Sequence, residues 1–166
     1  MMIIYLILST FLESIVNLLV SEKSLFIPLF SILSLIIIYI HLEKKDHIYI
    51  YSLVLGIVYD IAYTQTPFMN TLLFLLTAFL IQVFYKYVPY HIVSTSILTV
   101  IVIILYRLTT YILYVIFNDI KFNINELFQS IYLSMISNII YIILSYLIFK
   151  LLKNKRRKLN KYSYIK

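Results

Sequence analysis

Cysteine is absent from the chain, glycine occurs once, and charged side chains make up only 13% of the 166 residues. Without cysteine there are no disulfides, no thiolate metal sites and no cysteine nucleophiles. With Gly56 as the one glycine, a glycine-rich loop that cradles phosphate cannot be built. The shortage of charge accompanies a hydrophobic content of 63% and a mean hydropathy of +0.97. A soluble domain is about half apolar and about a quarter charged, and a water-facing globule of this length cannot hide so much apolar surface. A bilayer is the natural solvent, and there only helices and closed barrels satisfy their own backbone. A barrel would alternate in polarity over segments of about ten residues. The apolar runs here are roughly twice that length and do not alternate.

Six such runs follow one another. The first, 2–20, has neither a basic start nor a small-residue cleavage site and carries Glu13, so it is expected to be a retained helix and not a signal peptide. The others are 25–42, with Pro28 in its first turn, 48–63, 68–85, 92–117 and 127–149. They are separated by short polar breaks: "SEKS", "EKKDH", "TQTP", "KYVPYH" and "NDIKFNINE". The expected fold is all-α: a bundle of six transmembrane helices over 1–149, followed by a basic tail over 150–166. No internal repeat, soluble domain or long linker is evident.

Basic residues set the orientation of such a chain. With a cytoplasmic N-terminus, eleven of the 14 Lys and Arg fall on the inner side: Lys44, Lys45, Lys86 and eight in the tail. Only Lys23 and Lys121 fall in outer loops, and Arg107 lies inside the fifth run. Both termini of this multi-pass chain are therefore expected in the cytoplasm. Tyrosines near the run ends, among them Tyr39, Tyr49, Tyr85 and Tyr90, fit an interfacial belt.

Charged groups within a span are costly and face protein or water. Three stand out: Glu13, Asp60 and Arg107. At a rise of about 1.5 Å per residue they lie roughly 10, 5 and 15 Å from the outer ends of their helices. Asn70 lies near the outer start of the fourth run and Asn138 near the middle of the sixth. These residues form either a polar cluster that opens outward or meets a partner, or a structural lock in which Arg107 pairs with Asp60 or Glu13. Gly56 and Asp60 share a helix face, so Gly56 admits a close neighbour that shields Asp60 from lipid. "HLEKKDH" does not have the spacing of a zinc motif. The histidines and the intramembrane acids fall on opposite sides, which leaves no catalytic triad, and no enzyme activity is expected. The run Lys153, Lys155, Arg156, Arg157 and Lys158 directly after the last span suits anionic lipid or an acidic partner better than nucleic acid.

The stretch "GIVYDI", followed by "TPFMNTLLFLL", resembles the central signature of the bacterial rod shape-determining MreD family. Gly56, Asp60, Pro67 and Asn70 match it, and Met69 stands where the family commonly has glycine. "LSTFLES" in the first run and Pro28 opening the second also fit. The resemblance implies a six-helix, non-catalytic membrane scaffold or assembly factor of the cell-elongation, peptidoglycan-synthesising machinery. Its implied partners are MreC, MreB, RodA and a class B penicillin-binding protein, with no cofactor and no small-molecule substrate. The alternative is the substrate-binding subunit of an energy-coupling-factor vitamin transporter. Such subunits carry small residues at four-residue spacing in the first helix, where this chain has neither alanine nor glycine.

Overall fold

A computed structural model describes residues 2–19, 28–63, 68–118 and 121–163. Among them the only regular structure is helical. Six helices follow in order: α1 Met2–Leu19, α2 Phe30–His41, α3 Ile48–Tyr63, α4 Met69–Tyr87, α5 Ile92–Asn118 and α6 Ile124–Ser163, with a 3₁₀ turn over Lys45–His47 ahead of α3. Four of them, α1, α4, α5 and α6, are long and apolar enough to cross a membrane.

The second apolar run departs from expectation. Its helix starts at Phe30, not at residue 25, and has 12 residues, about 18 Å of rise against a hydrocarbon core of about 30 Å. Pro28 lies just before the N-cap residue Leu29 and not within the first turn. Residues 20–27, which the expected second run enters, lie outside the described residues. At 16 residues α3 is also short of a full span.

The short helix is the centre of the bundle. Every residue from Phe30 to Tyr39 is buried, and α2 touches each of the other five helices. A helix that is apolar on all sides is stable only when surrounded, and "FSILSLIIIYIH" has that character. The opposite pattern marks α1, which buries only Leu6, Ser9 and Glu13 and exposes Ile3, Ile4, Ile7, Phe11 and Leu18. Polar groups inside and large aliphatic groups outside is the arrangement a lipid solvent favours.

The closest pairing is between α3 and α4, and Gly56 permits it. A Cβ added at Gly56 would lie 2.5 Å from the Cα of Thr71, so nothing larger than hydrogen fits between these backbones.

Aromatic groups gather at one end. Tyr39 stacks on Tyr85 with ring centroids 5.7 Å apart, and Tyr85 meets Tyr90 at 4.9 Å. Lys45 Nζ sits 4.8 Å over the Tyr39 ring and 5.0 Å over that of Tyr90. It also donates to the Tyr39 carbonyl at 2.6 Å. A cation thus closes the C-terminus of α2, where the helix dipole is negative. Between α1 and α6, Tyr5 and Tyr141 share a hydrogen bond of 2.8 Å, and Ser9 reaches Tyr141 at 2.7 Å.

The sixth helix shows the other departure from expectation. It continues without a break past Phe149 to Ser163, 40 residues in all. No structural boundary separates the last apolar run from the basic residues at 153–158.

Candidate functional site

A helix start leaves its first backbone N–H groups without partners inside the helix. The N-caps of α2 and α4 are Leu29 and Phe68, which have no capping oxygen and make no side-chain cap hydrogen bond. In lipid, water does not make up the deficit. The two buried carboxylates do.

At α4, Asp60 reaches across from α3. Its Oδ1 accepts the Asn70 N–H at 2.9 Å and the Asn70 side-chain amide at 3.0 Å. Its Oδ2 accepts the Thr71 N–H at 3.0 Å and the Thr71 hydroxyl at 2.6 Å. An ionised carboxylate is an acceptor only, and both oxygens here are engaged by one helix start, whose dipole favours negative charge. Gly56 stands one turn earlier on the same face. By letting the helices approach, it brings Asp60 within reach of those amides.

At α2, Glu13 reaches across from α1. Its Oε2 accepts the Ser31 N–H at 2.7 Å and the Ser31 hydroxyl at 2.5 Å, and its Oε1 accepts the Tyr59 hydroxyl at 2.9 Å. Asn138 of α6 adds a second cap, its Oδ1 accepting the Leu29 N–H at 2.8 Å. The Asn138 amide is itself anchored by donating to the Ser134 carbonyl at 2.7 Å.

The two caps are joined. Tyr106 of α5 donates to Asn70 Oδ1 at 2.9 Å, and its hydroxyl stands against that of Tyr59. A polar path therefore runs from Glu13 through Tyr59, Tyr106 and Asn70 to Asp60. Arg107 follows Tyr106 on α5 and turns toward α6. Its Nε donates to the Ser134 hydroxyl at 2.8 Å, and its Nη2 does so as well. Ser134 passes the interaction on by donating to the Ser130 carbonyl at 2.8 Å. Glu13, Asp60, Asn70, Arg107, Ser134 and Asn138 are all buried.

Of the residues singled out by sequence, Glu13, Gly56, Asp60, Asn70 and Arg107 come together at one level of the bundle. The described hydrogen bonds give Arg107 a hydroxyl partner, Ser134. Among the described hydrogen bonds of Glu13, Asp60 and Arg107, all run to hydroxyl and amide groups, and none joins two of the three. Pro67 lies outside the described residues. Lys153, Lys155, Arg156, Arg157 and Lys158 sit on the continuation of α6, toward the opposite end from this network.

Five participants were not foreseen: Ser31, Tyr59, Thr71, Tyr106 and Ser134. Two sequence signals point to them. Tyr59 and Tyr106 each directly precede a charged residue within an apolar run, and Ser130, Ser134 and Asn138 recur at four-residue spacing along one face of α6.

This arrangement uses carboxylates to hold helix starts, and the segment that carries it is the one with the glycine–aspartate and proline–asparagine signature. A sequence model of the family described as rod shape-determining protein MreD matches residues 1–155. The chain belongs to the MreD family. Membership makes it a membrane protein with a role in determining rod shape. Neither a curated protein nor a solved structure matches the chain. For this MreD-family chain the signature has a physical meaning: Gly56 sets a helix separation, Asp60 closes the helix that begins there, and Asn70 and Thr71 receive it.

Proposed function

We propose that the protein is a non-catalytic scaffold or assembly factor of the cell-elongation machinery. In this reading it sits in the cytoplasmic membrane with both termini inside and works with MreC, MreB, RodA and a class B penicillin-binding protein. Family membership supports the setting. The observation that carries the non-catalytic part is how the carboxylates are used. Both oxygens of Asp60, and both of Glu13, accept hydrogen bonds from helix-start and tyrosine groups. A general acid or base must instead reach a substrate proton.

Depletion in a rod-shaped host tests this reading. Cells should round and swell, and co-purification from native membranes should bring along wall synthases. Normal rods on depletion, with loss of uptake of one vitamin and a transporter ATPase in the purified complex, would overturn it. The orientation has its own readout. A reporter after Lys166 should be active only in the cytoplasm, and a tag within 118–126 should be reachable from outside.

A further inference from the structure

At the aromatic end of the bundle, a cavity of about 550 Å³ opens between the start of α5 and the late part of α6. His91, Ile92, Val93, Tyr146, Leu147 and Lys150 line it. We propose that it binds the phosphate headgroup of an anionic phospholipid from the leaflet at this end.

Its level in the bundle supports a lipid. The Tyr146 hydroxyl donates to the Tyr90 carbonyl at 3.4 Å, which places the cavity beside the Tyr39, Tyr85 and Tyr90 group. Tyrosines of this kind mark the headgroup region. Its lining is divided as a phospholipid is. Lys150 supplies a cationic rim and His91 a hydrogen-bonding one, while Ile92, Val93 and Leu147 supply apolar walls. Val93 and Leu147 are also exposed toward the surrounding solvent, the position an acyl chain would occupy.

The backbone of the rim is fixed. Ser94 Oγ accepts the His91 N–H at 3.0 Å and itself donates to the Pro89 carbonyl at 2.6 Å. That leaves the exposed imidazole of His91 to face a ligand. Charge favours an anionic lipid over a zwitterionic one. The chain carries a net +7, and α6 leads from Lys150 directly into its basic continuation. Basic pockets between membrane helices are a recurrent way of holding anionic headgroups.

Native mass spectrometry on the full-length protein tests the site, with phosphatidylglycerol and phosphatidylcholine offered separately in mixed micelles. The wild type should retain one phosphatidylglycerol and little phosphatidylcholine. Lys150→Gln should weaken retention about fivefold, the effect of one basic group at an anionic surface, and adding His91→Gln should weaken it further. Both residues are exposed, so the helical circular dichroism should not change. Lys121→Gln, an exposed change in the loop before α6 at the opposite end of the bundle, should leave retention within about twofold, since attraction over that distance is screened. Equal retention of phosphatidylcholine, unchanged retention in the double variant at 91 and 150, or displacement by inorganic phosphate in millimolar excess would overturn the proposal.

Discussion

Helices α2 and α4 each follow a proline that precedes an apolar N-cap: "PLFS" from Pro28 and "PFMN" from Pro67. Each presents the N–H of its second residue, Ser31 or Asn70, to a carboxylate on the preceding helix. They differ in how far the support reaches. Asp60 lies ten residues before Asn70 and contributes both oxygens to one helix start. Glu13 lies 18 residues before Ser31, shares its carboxylate with Tyr59, and is supplemented by Asn138. The α3–α4 hairpin is therefore capped from within, whereas α2 is capped by groups from α1 and α6. The comparison teaches that one chemical device can fix a local hairpin or tie distant parts of a bundle together, according to where its acceptors come from.

The largest effect should follow removal of the distributed cap. Glu13→Ala strands the Ser31 amide and hydroxyl and the Tyr59 hydroxyl, each a buried donor worth about 1–3 kcal/mol when unsatisfied. A loss of about 3–5 kcal/mol is expected in reversible unfolding from mixed micelles. Asp60→Ala strands the donors of Asn70 and Thr71 but should cost less, about 2–3 kcal/mol, because Asp60 and Thr71, at 8% and 7% exposure, are less deeply buried than Glu13 and Ser31 at 1%. Equal losses would remove the distinction between local and distributed caps.

Next comes the spacing that serves the local cap. Gly56→Ala places a methyl group against Thr71 Cα, and overpacking of this kind costs about 1–3 kcal/mol. Thr71→Ala should not rescue it, because the nearest obstructing atom is backbone. Rescue would show that the helices are free to shift at this point.

The smallest effect should separate the two N-cap residues. Phe68 has φ 66°, in the left-handed region, and its side chain is 69% exposed. Leu29 has φ −124° and is 1% exposed. Phe68→Gly should therefore stabilise by up to about 1 kcal/mol, since glycine enters that region without strain. Leu29→Gly should destabilise by more than that through lost packing. The same sign for both would mean that the caps impose the same backbone demand.

Run lengths made the helical class and most helix positions legible, and the shared face of Gly56 and Asp60 followed from helical spacing. The start of α2 was hidden because residues 25–29 are as apolar as the helix itself. What fixes that start is Glu13 and Asn138, both remote in sequence. Arg107 was expected beside an acid because charge is the obvious complement to charge. Its described partner Ser134 was obscured by the ease with which a serine passes as small packing. The two similar helix starts escaped notice as a repeat because only the proline and a small polar residue are common to them.

The unbroken course of α6 has a mechanical consequence. Its 40 residues extend about 60 Å, twice the thickness of the hydrocarbon core. Ser134, which receives Arg107, and the basic positions from Lys153 onward are points on one stiff rod. A pull sideways on its projecting end acts as torque about the membrane-embedded part. The Arg107 and Asn138 contacts lie on the arm that must turn in response. A load applied on one face of the membrane therefore reaches the caps of the central helix without any intervening hinge.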